Sequence, residues 1–463
     1  MFVDRERELA LLEAAFSSPD AELFVLYGRR RVGKTELLAK FCENKRHIFF
    51  VADLDAEPVL RGRFSAAVNT ELLGAETAVA VYPTWESLLQ VVARHAVSEP
   101  LVLVLDEFNY LLNAHPPLAT VLQRLWDAEL RHTQLKLILC GSHIGMMESD
   151  VLGYQAPLYG RRTGQYLLDS LSFADSRTFF MGLDPVDRVR VYAVLGGTPA
   201  YLRLVQPGQP LEAIIVDKIL TRGTFLYDEV RLLLLQELRE PRNYFAILEA
   251  IAAGHMRQND IKQATGLDGI SSYLSTLIAL RLVERVVPVT ESQPHKSRRG
   301  LYRLRDPFFR FWLRFVHPNR SALEQGAAQM VFDTQVAPRL DTFTGPVFEQ
   351  VCEQHLWRAS LAGSLPLTPQ RIGPWWAPHQ EIDLIALADG EALVAECKWS
   401  TRPVGVDILR HLEQVAASVP VLAEQTLYHA LFARSGFTEE VQEEAVTRDD
   451  LLLFDLADLT AAG

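Results

Sequence analysis

Leu23-Phe24-Val25-Leu26-Tyr27-Gly28-Arg29-Arg30-Arg31-Val32-Gly33-Lys34-Thr35 is an apolar run, a loop bounded by two glycines, and a lysine followed by a hydroxyl. The run reads as a buried strand, and the apolar residues recurring between Thr35 and Phe41 read as a helix. Strand, glycine loop and helix in this order predict a phosphate-binding P-loop. Glycine lets the backbone N–H groups curl around phosphate oxygens, and the helix N-terminus adds its positive dipole end. Gly28, Arg31 and Gly33 shape that loop, Lys34 is placed to reach the β- and γ-phosphates, and the Thr35 hydroxyl is placed to ligate magnesium. The expected ligand is ATP with Mg2+.

Two further strands extend the reading. Leu101-Val102-Leu103-Val104-Leu105 is continuously apolar, as a strand buried on both faces must be, and it ends in Asp106-Glu107. Asp106 is expected to hold the magnesium through water, and Glu107 to polarise the attacking water as general base. Leu135-Lys136-Leu137-Ile138-Leu139-Cys140 then runs into Gly141-Ser142-His143, where Ser142 is a candidate sensor of the γ-phosphate or, alternatively, a turn-forming serine.

The surrounding composition bounds the rest. A chain of 463 residues exceeds one hydrophobic core and predicts several domains. With 49% hydrophobic and 22% charged residues it reads as an ordinary globular chain, without a long uncharged run suited to a membrane span. The opening Met1 to Glu8 mixes charges unlike a signal peptide, so a cytoplasmic location without membrane partners is expected. Cys42, Cys140, Cys352 and Cys397 are scattered, which predicts four reduced thiols. A net charge of -12 excludes unselective coating of nucleic acid and confines any such contact to a local patch.

Four segments together resemble the archaeal-type P-loop ATPase family, in the signal-transducing (STAND) branch of AAA+-like ATPases. They are Phe2-Val3-Asp4-Arg5-Glu6-Arg7-Glu8-Leu9, the glycine loop from Tyr27 to Thr35, Pro157-Leu158-Tyr159-Gly160-Arg161-Arg162-Thr163, and Gly196-Gly197-Thr198-Pro199-Ala200-Tyr201-Leu202. The resemblance covers nearly the whole chain. It implies an α/β nucleotide domain with a parallel sheet and a helical lid, with Arg5 and Glu6 beside the adenine. It also implies that Arg161 or Arg162 serves as arginine finger or phosphate sensor; a solvated surface pair is the alternative reading of two adjacent arginines.

Beyond a helical connector, residues 243–253, 258–265 and 270–282 read as three helices separated by Gly254 and Gly266. Residues 283–289 and 300–304 then read as a hairpin flanking the polar loop 292–299. Three helices and a hairpin predict a winged helix, which contacts DNA or RNA, or serves as a lid or protein contact. Between residues 281 and 320 there are ten Lys or Arg against three Asp or Glu, a local balance of 10 − 3 = +7 in an acidic chain. That asymmetry points to nucleic acid.

The last third carries a second candidate site. Residues 344–360 read as a helix bearing Glu349, and residues 381–387 alternate as a strand with Asp383 on one face. The Asp389-Gly390 turn leads into a strand over 392–399, where the two-residue period puts Glu396 and Lys398 on one face, opposite Asp383. Two carboxylates suit a hard divalent cation, Mg2+ or Mn2+, and a neighbouring lysine can orient a water or stabilise phosphate charge. Glu349, Asp383, Glu396-Cys397-Lys398 resembles the PD-(D/E)xK nuclease fold, with Ile382 where that name has its proline. Together with Gly373-Pro374-Trp375-Trp376 it also resembles the C-terminal domain of unknown function that follows this ATPase family.

The expected layout is therefore α/β and multidomain: a P-loop ATPase core over 1–170, a helical lid and connector over 171–240, a winged helix over 241–320, and an α/β nuclease-like domain over 321–463. The expected function is an ATPase that licenses metal-dependent cleavage of DNA or RNA. A nucleotide-switched regulator with an inactive nuclease fold is the alternative, and self-association is compatible with either.

Overall fold

The computed structural model describes residues 3–74, 81–238 and 240–461. Phe2, the first residue of the opening motif, lies outside them. The chain divides into two compact units, one ending at Ser170 and the other starting at Leu171.

The first unit is built on a sheet of five strands: β1 (Glu22–Tyr27), β2 (His47–Val51), β3 (Leu101–Asp106), β4 (Leu135–Gly141) and β5 (Gly164–Leu167). Every pairing is parallel and the order is β2-β3-β4-β1-β5. Helices cover both faces, which is why β3 and β4 are buried along their whole length and read as unbroken apolar runs. Because all strands point the same way, the loops after β1, β3 and β4 open on one edge, the place where parallel sheets bind ligands. β4 lies between β1 and β3, so Ser142 emerges between the glycine loop and Asp106-Glu107.

The second unit is helical at first, including the Pro185–Leu195 helix, and continues through the Pro241–Ala252, Gln258–Thr265 and Ile270–Ala279 helices. The antiparallel pair β6 (Val283–Val286) and β7 (Leu301–Leu304) follows. After the long Leu340–Leu361 helix comes a mixed sheet of β8 (Arg371–Ala377), β9 (Gln380–Leu387), β10 (Glu391–Lys398), β11 (Thr426–Ala433) and β12 (Leu451–Asp455). Its order is β12-β11-β10-β9-β8, antiparallel from β8 to β10 and parallel beyond. One apolar core runs from Leu171 to Leu459 and draws on all three segments expected within this unit, while a second, from Trp375 to Leu451, lies within the last of them. The four cysteines are free and buried. Among the described residues no helix is long and apolar enough to cross a membrane.

Candidate functional site

The glycine loop is held from behind by its own strand neighbour. Leu168 N–H donates to the Tyr27 carbonyl at 2.7 Å. A Cβ on Gly28 would stand 2.2 Å from the Leu168 carbonyl oxygen, so only glycine lets the loop lie this close to the strand end. Arg31 at φ 70° and Gly33 at φ 95° turn the loop back before the Lys34–Cys42 helix begins. Lys34 is buried, and its ammonium donates to the Gly28 and Arg29 carbonyls at 2.8 and 2.9 Å. The ammonium thus sits inside the loop, within reach of the space its amides enclose. The Thr35 hydroxyl donates to Asp106 Oδ2 at 2.7 Å. One hydroxyl and one buried carboxylate side by side, next to a helix N-terminus, are oxygen donors suited to magnesium and a triphosphate.

Glu107 holds a left-handed backbone at φ 53°, costly for a residue with a side chain and retained where function over-determines it. Its Oε2 accepts from the Ser142 hydroxyl at 2.6 Å, while Ser142 N–H donates to Asn109 Oδ1 at 3.3 Å. Ser142 therefore meets Glu107 rather than standing alone in a turn. Arg5 is also drawn to this site, but its guanidinium acts as a brace. It donates to the Val32 carbonyl at 3.0 Å and the Asp169 carbonyl at 2.7 Å, and pairs with Glu8 at 3.0 Å. The two other arginines are engaged elsewhere. Arg161 makes a two-pronged pair with Asp127 at 2.9 and 2.7 Å, and Arg162 donates to the Leu152 carbonyl at 3.2 Å.

In the second unit Asp383 lies on β9 beside β10, where its Oδ2 accepts from the Cys397 N–H at 2.8 Å. Burial, then the charges of Glu396 and Glu349, push the Asp383 carboxyl well above the usual carboxylate range. Burial raises Glu349 as well, against the pull of Arg303. Lys398 donates to Glu396; burial opposes the lysine's charge, but the hydrogen bond and the carboxylate prevail and raise its pKa. All four residues expected here are thus brought together. Among the described residues no three His, Cys, Asp or Glu side chains are arranged as a metal-holding group. The two nearest candidates for metal ligation, Asp383 and Glu396, are engaged by a backbone amide and by Lys398 respectively.

Several participants escaped the sequence reading. Asn109 and Tyr110 belong to the first site, the latter accepting from Arg30. Arg303 and Arg310 face the second, and with Glu349, Trp375, Trp376 and Asp383 they line a cavity of about 290 Å3. Half-exposed Leu301 and Arg303 alternate with buried Tyr302 and Leu304 along β7, which signals a strand with one open face but not what Arg303 meets there.

Residues 2–205 match the model of an ATPase domain predominantly from Archaea, and residues 312–412 match one described as archaeal and bacterial proteins of unknown function. An uncharacterized protein of Methanocaldococcus jannaschii is 33% identical over 471 residues, covering 99% of this chain and 100% of that one. An uncharacterized ATP-binding protein of the same organism is 56% identical over 46 residues, 10% of this chain and 78% of its own. Among solved structures, a Walker-type ATPase of Pyrococcus abyssi is 22% identical, covering 68% of this chain and 96% of its own, with a TM-score of 0.48. End-to-end similarity to the first Methanocaldococcus protein, with the ATPase domain matched over the glycine loop, shows that this chain belongs to the archaeal-type P-loop ATPases.

Proposed function

We propose that the chain hydrolyses ATP at the first site and that this cycle licenses metal-dependent phosphodiester hydrolysis, in DNA or RNA, at the second. The observation that carries the reading is the convergence of Glu349, Asp383, Glu396 and Lys398 in a unit separate from the phosphate loop. At the first site Lys34 exchanges loop carbonyls for β- and γ-phosphate oxygens, and Glu107 orients the attacking water while Ser142 holds its other oxygen. Thr35 and Asp106 would hold magnesium, which would supply neutralising charge on the phosphates. Arg162, less committed than Arg161, is the better candidate for a finger offered to a neighbouring copy. At the second site Asp383 and Glu396 would hold a divalent cation, with Glu349 to orient a water and Lys398 to steady the scissile phosphate. The three helices with β6 and β7 are read as a winged helix whose loop, with Lys296, Arg298 and Arg299, meets the nucleic-acid backbone.

A second reading, a nucleotide-switched regulator that grips nucleic acid or protein through an inactive fold, is favoured by the pairing of Lys398 with Glu396. One experiment decides. Wild type and Asp383→Asn are assayed for cleavage of DNA and RNA in magnesium and in manganese, with and without ATP, while ATP turnover is followed in parallel. Divalent-dependent cleavage lost in the variant supports the nuclease. Turnover without any cleavage by wild type leaves the regulator.

A further inference from the structure

The cavity beside Asp383 is lined by groups of both charges and by one indole. Glu349 and Asp383, the carboxylates of the second site, line it with Arg303 from β7, with Arg310 and with the half-buried Trp376 of β8, whereas the adjacent Trp375 belongs to a separate core. Arg310 donates through one terminal nitrogen to the Phe343 carbonyl at 2.7 Å and lies 4.5 Å above the Phe343 ring. Its Nε is buried and, among the described residues, has no hydrogen-bond partner. A desolvated guanidinium with an unmet donor is costly in a finished interior, and an entering anion would meet it. The Arg303 backbone belongs to the β6–β7 ladder, and its guanidinium is felt by Glu349 without a contact ion pair among the described residues. A carboxylate ligand would satisfy the arginines but leave the Trp376 indole unused, whereas a phosphate bearing a flat ring uses both.

We propose that this cavity receives one unpaired nucleotide of single-stranded nucleic acid, its phosphate on Arg303 and Arg310 and its base against Trp376. Its volume lies at the lower edge of small-ligand pockets, about 300–1,000 Å3, so a single nucleotide suits it and a stacked base pair does not. The substrate is then a strand end, a loop or a locally opened strand. The inference deepens the phosphodiester reading of the neighbouring carboxylates, on which its choice of substrate class rests.

The test reads binding and cleavage separately on the full chain. Fluorescently labelled dT12, rU12 and a 12-base-pair duplex are titrated by anisotropy in calcium, with ADP saturating the P-loop. Single strands should bind at least tenfold tighter than duplex, and the comparison of dT12 with rU12 identifies the sugar accepted. Arg303→Gln should weaken single-strand binding about tenfold and lower the salt slope by about 0.7, one phosphate contact on a single strand. Gln350→Trp, which fills the cavity without removing charge, should abolish the single-strand preference; thermal melts establish that both variants fold. Equal affinity for duplex and single strand, or wild-type binding by both variants, overturns the proposal. Single-strand binding that follows these variants without cleavage in magnesium or manganese would instead remove the nuclease reading and leave this one.

Discussion

Glu107 combines a strained backbone with a carboxylate already held by Ser142, the arrangement of a base whose direction is fixed before substrate arrives. On the proposed reading Lys34 meets the ground-state phosphates. Lys34→Ala should therefore lose ATP binding, whereas Glu107→Gln should retain it and lower kcat by about 10²–10⁴-fold. Ser142→Ala should lower kcat with KM nearly unchanged, since it frees an oxygen of Glu107 without touching the loop. Equilibrium nucleotide titration beside steady-state turnover checks all three, and unchanged binding by Lys34→Ala would refute the site. A residue outside both sites gives a pH test. Burial, and then repulsion from Glu284, raises the Glu353 carboxyl to about 7, although Arg303 pulls it down. Its folded pKa exceeds its unfolded one, so its stabilising contribution is complete below about 4.5 and is lost as pH rises through about 7. Glu353→Gln should thus gain melting temperature over wild type progressively from pH 5 to pH 8; a constant difference would refute the assignment. The residues legible beforehand were those with a local signature. Arg303 and Arg310 were not, because only tertiary packing tells a buried cation from a solvated one.

At the level of elements, sequence period located the strands closely and the helix ends less well. The strand expected over 381–387 forms as Gln380–Leu387, and that over 135–140 as Leu135–Gly141. Strands buried on both faces leave little freedom in their ends. The helix expected over 344–360 instead begins at Leu340 and carries Pro346 in its interior. Proline ordinarily marks a first turn. Here Thr344, Val347 and Phe348 are buried, and Thr344 returns its hydroxyl to the Leu340 carbonyl at 2.8 Å, so packing overrides the local rule. The helix expected to reach residue 282 stops at Ala279, before Arg281 turns left-handed at φ 58°. The loop after β1 supplies an element-scale prediction. Gly28→Ala places a methyl against the Leu168 carbonyl, and either the loop or the end of β5 must move. Destabilisation on the order of 3 kcal/mol, with loss of ATP binding, is expected from thermal melts and titration. Arg5→Lys, which keeps charge but loses the forked brace on Val32 and Asp169, should weaken ATP binding with a smaller change in melting temperature.

Across the whole molecule, two sheets of different topology each carry their own carboxylates, Asp106 and Glu107 on one, Asp383 and Glu396 on the other. The first site was legible because a glycine loop and a terminal Asp-Glu are local in sequence. The second was legible only as a pattern of faces, and its two lining arginines, Arg303 and Arg310, lie far along the chain from Asp383 and outside any motif. Separate strand systems predict separable chemistry. Asp383→Asn and Glu396→Gln should each abolish cleavage and leave ATP turnover intact, since a hard cation needs anionic oxygen to offset its dehydration. Lys398→Ala should retain the cation yet lose cleavage, because its charge serves the phosphate rather than the metal. Charge reversal at Lys296, Arg298 and Arg299 should weaken duplex binding and flatten its salt dependence by nearly one logarithmic unit per lost phosphate contact. Manganese titrated calorimetrically into the magnesium-free, nucleotide-free full chain reads the second site by difference between variants. Wild type should show one further binding event that the Asp383→Asn, Glu396→Gln double variant lacks. Equal heats from both proteins would remove the cation from the second unit, and the first unit's ATPase would then act through a fold that binds without cutting.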